Sequence, residues 1–222
     1  PIITQLMHIG NLPVLARFFL ALTAGILIGF VLPPLAAQVH HAHQGYSLYN
    51  VGFAGGIIAT VIVSLLKSFG ITVESRLIWY TGSDFLFFTL LSILFAGMAA
   101  GAFLFGGRGV VEEYWEIIRS SGHGGSDYLR DNGGPATVLN MAVNGFIATL
   151  LVLIAGGDLN GPTIGGIFTV VGFSSTGKHI RNIFPIMAGV YLAGLTKRWN
   201  ISDPSPMLAF LFSTTLAPIS GE

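Results

Sequence analysis

The apolar residues of this sequence fall into long blocks instead of alternating with polar residues. A helix needs about 20 apolar residues to cross the hydrocarbon core of a bilayer, and several blocks approach that length. The blocks cover residues 12–35, 49–66, 85–105, 136–155, 163–173 and 183–195, and a last one begins at 207. This pattern predicts an all-α, polytopic transmembrane helix bundle.

The block at 163–173 differs from the others because its 11 residues are too few to span a bilayer. It follows the turn "GGDLNGP", in which Pro162 stands where a helix would begin. We therefore predict a short re-entrant or broken helix segment that enters and leaves the membrane on one side. That arrangement would put the pair Lys197-Arg198 on the side that usually retains basic residues.

Two stretches of similar sequence suggest that the chain contains an internal duplication. "NVGFAGGIIATVIV" from Asn50 and "NMAVNGFIATLLV" from Asn140 share an Asn, a Gly and an Ile-Ala-Thr, while a rival register pairs Asn50 with Asn160. Repeats of this kind are common in transporter folds. We predict one transmembrane domain, 1–222, with approximate repeat units 12–108 and 136–222. Because the chain starts at Pro1 without Met and ends inside an apolar run, we expect it to be a fragment.

Composition strengthens the membrane prediction. The chain is 52% hydrophobic and only 9% charged, with a mean hydropathy of +0.74, whereas soluble domains carry roughly 25% charged residues. The net charge is zero and the basic residues are scattered, which excludes a nucleic-acid partner. The lipid bilayer is the predicted partner and the cell membrane the predicted location, with several passes. Oligomerisation as a homo-oligomer is left open.

The stretch "GFSSTGKH", residues 172–179, resembles a nucleotide-binding loop but has His179 where that loop needs Ser or Thr. Such a loop also sits between a strand and a helix, and no soluble domain is present to supply them. We expect no nucleotide binding. Lys178 and His179 instead stand at the mouth of a short membrane segment, where they would bind an anion or anchor the segment to lipid headgroups.

Polar residues inside apolar stretches mark the candidate binding site. Asn140 and Asn144 are four residues apart and share one helix face. Asp158 and Asn160 lie in the turn that follows this apolar block. An ionisable residue between two apolar segments is a functional candidate by default. An ordinary capped turn would explain these two residues equally well. The predicted substrate-binding residues are Asn140, Asn144, Asp158, Asn160, Thr163, Lys178 and His179.

Catalytic and metal chemistry find less support. No common hydrolase signature occurs, so no catalytic residue and no cofactor is predicted. His40, His41 and His43 fall in a loop that we expect to be external, since it has no Lys or Arg. Three neighbouring histidines could bind Zn or Ni, but no carboxylate lies close in sequence. No metal site is therefore predicted and we expect the histidines to be solvated, while metal binding by them is left open.

The stretch "GGDLNGPTIGGIFTVVGFSSTGKHIRN", with "YNVGFAGG" upstream and "TTLAPISGE" at the end, resembles the bacterial multi-pass membrane proteins grouped as domain of unknown function 1576. The resemblance covers most of the chain. It implies an internally duplicated membrane protein and supplies no substrate.

Together these features favour passage of a small solute or ion through a transporter or channel over an enzyme. Two alternatives remain. One is an intramembrane enzyme that uses Asp158 and His179 as acid and base, and the other is a structural subunit of a membrane complex.

Overall fold

The computed structural model describes residues 13–71, 77–124, 126–196 and 199–221. Over these residues the fold is helical and contains no strand, which confirms the predicted fold class. The basic pair Lys197-Arg198, used above to orient the chain, lies outside the described residues. The helices are α1 (Val14–His43), α2 (Asn50–Ser68), α3 (Asp84–Gly106), α4 (Val110–Arg119), α5 (Tyr128–Asp131), α6 (Gly134–Ile154), α7 (Gly161–Phe173), α8 (Ile180–Thr196), α9 (Pro204–Phe212) and α10 (Ala217–Gly221).

Four of the described helical stretches are long and apolar enough to cross a membrane: α1, α2, Asp84–Arg119 and α6. The third consists of α3, a single 3₁₀ turn and α4. The helices α7 and α8 are apolar but shorter. This apolar helical bundle is compatible with an integral membrane protein.

The helix α1 runs further than the apolar pattern predicts. Pro33 and Pro34 lie inside it, and the helix continues to His43. Proline keeps a helical φ even though it removes a backbone hydrogen bond, and the Leu-Ala-Ala-Gln that follows consists of good helix formers. The prediction that the three histidines lie in a loop is therefore wrong, because they form the last turn of α1.

The first of two compact units contains α1 and α2, and these helices pack on each other through a small apolar cluster. Ala36, Val39 and Ala54 are its buried members. Most other side chains of α1 are exposed, including Phe30 at 81%. Large exposed apolar side chains are what a helix presents when its solvent is lipid.

The second unit contains residues 45–48 and the chain from Ile78 onward, and its apolar core is formed by residues of α3 and of α6 to α10. Gly145 of α6 lies between Phe95 of α3 and Val171 of α7. A Cβ at this position would lie 2.5 Å from two ring atoms of Phe95 and 2.7 Å from Val171. Only a residue without a side chain fits between these neighbours.

The helix α7 packs beside α6 and runs antiparallel to it as one continuous helix of 13 residues. Its beginning lies near the start of α3, where Leu159 N–H donates to Asp84. Its end lies beside Asn140, in the first half of α6. The segment thus runs from the level of the start of α3 to the level of Asn140, and the predicted return to one side is not confirmed.

The remaining helices complete the second unit. The buried residue Met207 of α9 lies against Gly157, and Ser220 of α10 donates to the carbonyl oxygen of Asn182 in α8. The short helix α4 buries Val110, Ile117 and Ile118, as its amphipathic sequence requires. The internal repeat with units 12–108 and 136–222 is not shown by this arrangement and stays a prediction.

Candidate functional site

The seven predicted site residues form two groups at the two ends of α7. Asp158, Asn160 and Thr163 lie at its beginning. Asn140, Asn144, Lys178 and His179 lie around the loop that follows its end, which we call the Lys178 loop (residues 174–179). An α-helix rises 1.5 Å per residue, so the 13 residues of α7 separate the two groups by about 20 Å. One compact site with all seven residues is therefore not formed.

The group at Asp158 fastens the segment before α3 to the turn between α6 and α7. Asp158 Oδ2 accepts a hydrogen bond from Trp79 Nε1 at 3.1 Å. Asn160 Nδ2 donates to the carbonyl oxygen of Tyr80 at 3.0 Å. Asp84 accepts from the backbone N–H of Leu159 at 2.6 Å. The polar groups of this turn therefore hold it against the start of α3 and the residues before that helix.

Asn160 and Thr163 also form a reciprocal cap at the start of α7. The Asn160 side chain accepts from Thr163 N–H at 3.2 Å, and the Thr163 hydroxyl accepts from Asn160 N–H at 2.8 Å. Both residues are buried. Such a cap satisfies backbone donors that a helix start leaves unpaired. The capped turn, left open as an alternative by the sequence, is therefore what these two residues build.

At the other end, two amides of α6 hold the Lys178 loop by its backbone. Asn140 Nδ2 donates to the carbonyl oxygens of Ser174 and Lys178, both at 2.7 Å. Asn144 Nδ2 donates to Ser174 Oγ at 2.7 Å. Both asparagines are fully buried and share one helix face, as their spacing predicts. They face the end of α7 and the loop.

Lys178 is the one lysine buried within the described residues, with 0% of its surface exposed. Its Nζ donates to Thr214 Oγ1 at 2.6 Å and lies 5.5 Å from the centre of the Phe173 ring. The loop lies between α7 and α8, outside the four candidate spans. Burial keeps the pKa of Lys178 well below its ordinary value, because removal from water disfavours the charged amine.

His179 is buried next to Lys178 and forms its hydrogen bond with a different part of the chain. Its Nε2 lies 3.0 Å from the carbonyl oxygen of Ser120, which can only accept, so Nε2 carries the proton. Burial lowers the pKa of His179 to about 4, with Arg181 acting in the same direction and the Ser120 hydrogen bond opposing it. The imidazole is therefore neutral near pH 7.

Two buried acceptors in this group lack a hydrogen-bond partner among the described residues. They are Nδ1 of His179 and Oδ1 of Asn144. A buried polar atom without a partner costs about 1–3 kcal/mol, so such atoms usually pair with something that the polypeptide does not supply. Both atoms belong to residues that contact the Lys178 loop or lie in it.

A surface groove of about 480 Å³ runs along α7 to the Lys178 loop. Phe173 lines this groove and also contacts the Lys178 amine through its ring. The phenylalanine is half-buried. The groove is lined by Gly165, Phe168, Thr169, Gly172, Phe173, Ser175 and Thr176.

The sequence did not identify three residues that complete this region. Thr214 contacts Lys178 from 36 residues away, and Ser120 contacts His179 from 59 residues away. Tyr128 donates its backbone N–H to Ser175 at 3.0 Å, and its hydroxyl lies 2.8 Å from Ser120 Oγ. Burial raises the pKa of Tyr128 to about 12, although the Ser120 hydrogen bond opposes this shift. No local motif signals contacts over such separations.

The geometry also bears on the resemblance to a nucleotide-binding loop and on the hypothesis of an intramembrane enzyme. A phosphate-binding loop follows a strand, whereas the Lys178 loop follows the helix α7. Asp158 and His179, the acid and base of the enzyme hypothesis, lie at opposite ends of α7. General acid–base partners must both reach one reacting group, and this pair does not fit that requirement.

The model of one protein family, described as "Protein of unknown function (DUF1576)", matches residues 1–68 and 107–222. This is the family that the sequence resembles, and the match covers most of the chain. No curated protein and no solved structure matches the chain.

Proposed function

Because the chain belongs to the family of unknown function DUF1576, we propose from its geometry that it passes a small solute or ion across a membrane. We further propose that the Lys178 loop binds this solute. The observation that carries the proposal is the complete burial of Lys178 in an apolar helical protein. Ionisable residues in such surroundings are costly and usually mark a solute or proton route.

The chemistry of the loop favours a small anion. The lysine amine carries three donor positions and binds anions as a compact point charge. The two unpartnered acceptors, on Asn144 and His179, suit a solute that also carries a hydroxyl or amino donor. An anion bound at Lys178 would favour the charged amine and offset part of the cost of its burial.

The groove along α7 supplies an approach to the loop. Its lining residue Phe173 touches the amine of Lys178. A rotation of this ring would change access from the groove to the amine without any movement of a helix. By such a rotation, the half-buried side chain of Phe173 would act as a small gate.

The test is an anion-jump measurement on the full chain reconstituted into liposomes and adsorbed on a solid-supported membrane. Chloride, phosphate, acetate and lactate serve as probes. We expect at least one of them to produce a saturable current. Loss of a charge-assisted contact worth about 1.5–3 kcal/mol corresponds to a decrease of about ten- to a hundredfold in apparent affinity for Lys178→Met. Lys67→Met at the exposed end of α2 is the matched control and should behave as the parent.

Two results would overturn the proposal. The first is the absence of current with every probe in parent protein that is folded and monodisperse. The second is an equal current in Lys178→Met. The structural-subunit alternative is supported by the amide contacts of Asn140, which go to the chain's own backbone. It predicts both of these results.

A further inference from the structure

Two histidines at the end of α1 and one asparagine at the start of α2 converge on a single point. His43 Nε2 contacts Asn50 Oδ1. His40 Nδ1 lies 3.2 Å from Asn50 Nδ2. All three residues belong to the first compact unit.

The two imidazoles lie close together and face the same amide. They are three residues apart in a helix, so they share one face. Their ring centres are 5.5 Å apart and the rings are nearly perpendicular, at 87°. Each ring directs a different nitrogen toward the Asn50 side chain. Because the amide oxygen only accepts, Nε2 of His43 donates its proton to Asn50, whereas Nδ1 of His40 accepts from the amide nitrogen. The two ring nitrogens are thus held around one small volume, which an amide group now fills, and a bound metal ion would displace the proton from Nε2 of His43.

We propose that His40, His43 and Asn50 form a binding site for a divalent late transition-metal ion such as Zn²⁺. Neutral imidazole nitrogen is a preferred ligand of zinc, copper and nickel. The ion would take Nδ1 of His40, Nε2 of His43 and the carbonyl oxygen of Asn50, with water in the fourth position. Zinc sites with three protein ligands and one water are a common arrangement.

The site differs from a structural zinc site. The described residues contain no group of three or more His, Cys, Asp or Glu side chains placed to hold a metal, so the third ligand is an amide oxygen. The histidines are exposed or half-buried, which gives the ion access from solvent. Because the ligands come from two consecutive helices, the bound ion would clamp the α1–α2 hairpin.

The neighbouring His41 provides an internal control. It follows His40 directly, and successive residues of a helix point in different directions. Its ring lies 6.3 Å from that of His40. It has the same chemistry and similar exposure, so it separates a specific site from general attraction of metal to a histidine-rich surface.

The experiment is a Zn²⁺ titration of the full chain in lipid nanodiscs, in competition with a chromophoric chelator. The protein must carry a purification tag without histidines, and the absence of cysteine removes thiolate ligands. We expect one equivalent of Zn²⁺ to bind. His40→Ala and His43→Ala should each weaken binding by about tenfold or more. His41→Ala should leave the affinity within about twofold of the parent.

The decisive variant is Asn50→Asp, because it replaces the weakest ligand with a carboxylate of the same shape. Anionic oxygen binds zinc better than amide oxygen, so the affinity should rise by about tenfold. A gain of affinity cannot result from misfolding. The proposal is overturned if the parent binds no Zn²⁺, if His41→Ala weakens binding as much as His40→Ala, or if Asn50→Asp leaves the affinity unchanged.

Discussion

Asn140→Asp tests whether the amides of α6 hold the Lys178 loop in place. The substitution keeps the shape of the side chain and replaces its NH₂ group with an oxygen. The two hydrogen bonds of 2.7 Å to the carbonyl oxygens of Ser174 and Lys178 are lost. In their place, a fully buried site receives an acceptor that faces two other acceptors.

The magnitude follows from the number of buried polar groups left unpaired. The carbonyl group of Lys178 keeps the donation from Asn144 Nδ2 at 3.3 Å, so the unpaired groups are the Ser174 carbonyl oxygen and the new carboxylate oxygen. Each costs about 1–3 kcal/mol, so the two together cost about 2–6 kcal/mol. For a chain of this length, 1 kcal/mol changes the unfolding midpoint by about 2–4 °C. We therefore expect Asn140→Asp to lower the midpoint by about 5–20 °C. A protonated carboxyl group can donate one hydrogen bond, so the loss should become smaller as the pH falls.

The matched control is Asn160→Asp at the cap of α7. Aspartate is as good a helix cap as asparagine, and its charge suits a helix N-terminus. This variant loses only the donation to Tyr80, so its midpoint should stay within about 3 °C of the parent. Thermal midpoints are measured by intrinsic fluorescence and by size-exclusion retention after heating. Equal midpoints for Asn140→Asp and the parent, or equal losses in the two variants, would refute the reasoning.

Three further predictions concern packing, pH and topology. Gly145→Ala should destabilise the protein by about 1–3 kcal/mol through overpacking. Gly165 has open space around it, so Gly165→Ala should be neutral or stabilising by up to about 1 kcal/mol. Both effects are measured as shifts of the thermal midpoint. The lowered pKa of Lys178 means that the unfolded chain binds this proton more readily, so stability should rise with pH toward about 10 and the rise should be weaker in Lys178→Met. A pH profile of the midpoint that is equally steep in both proteins would contradict this. Single cysteines at Asp158 and Ser175 should react with an impermeant thiol reagent from opposite sides, as the continuous helix α7 suggests, whereas labelling from one side would support the re-entrant prediction.

Much of the helical framework can be predicted from the sequence, because it depends on local properties. The apolar block 136–155 corresponds to α6 at Gly134–Ile154, and the block 163–173 lies within α7. Long apolar runs, a proline at the first turn and glycine-rich breaks fix these limits. The end of α1 was placed too early because the apolar block ends at residue 35, whereas the helix continues with more polar residues to His43.

The site could be predicted only as separate residues. Four-residue spacing shows that Asn140 and Asn144 share a face, but it does not show what that face contacts. Their partners include backbone carbonyl groups 34 and 38 residues away, and any residue type can supply a carbonyl group. Thr214 could not be selected from the sequence either, because nothing near it distinguishes it from the adjacent Thr215.

The anchoring of the Lys178 loop through main-chain oxygens has a consequence for how the protein can diverge. Asn140 donates a hydrogen bond to the backbone carbonyl group of residue 178, and this bond does not depend on which side chain that residue carries. A gene copy could therefore exchange Lys178 for another residue while the loop keeps its course between α7 and α8. Under the proposed function, the course of the loop and the preference for a solute would then depend on different residues, and a single codon change could alter the second alone.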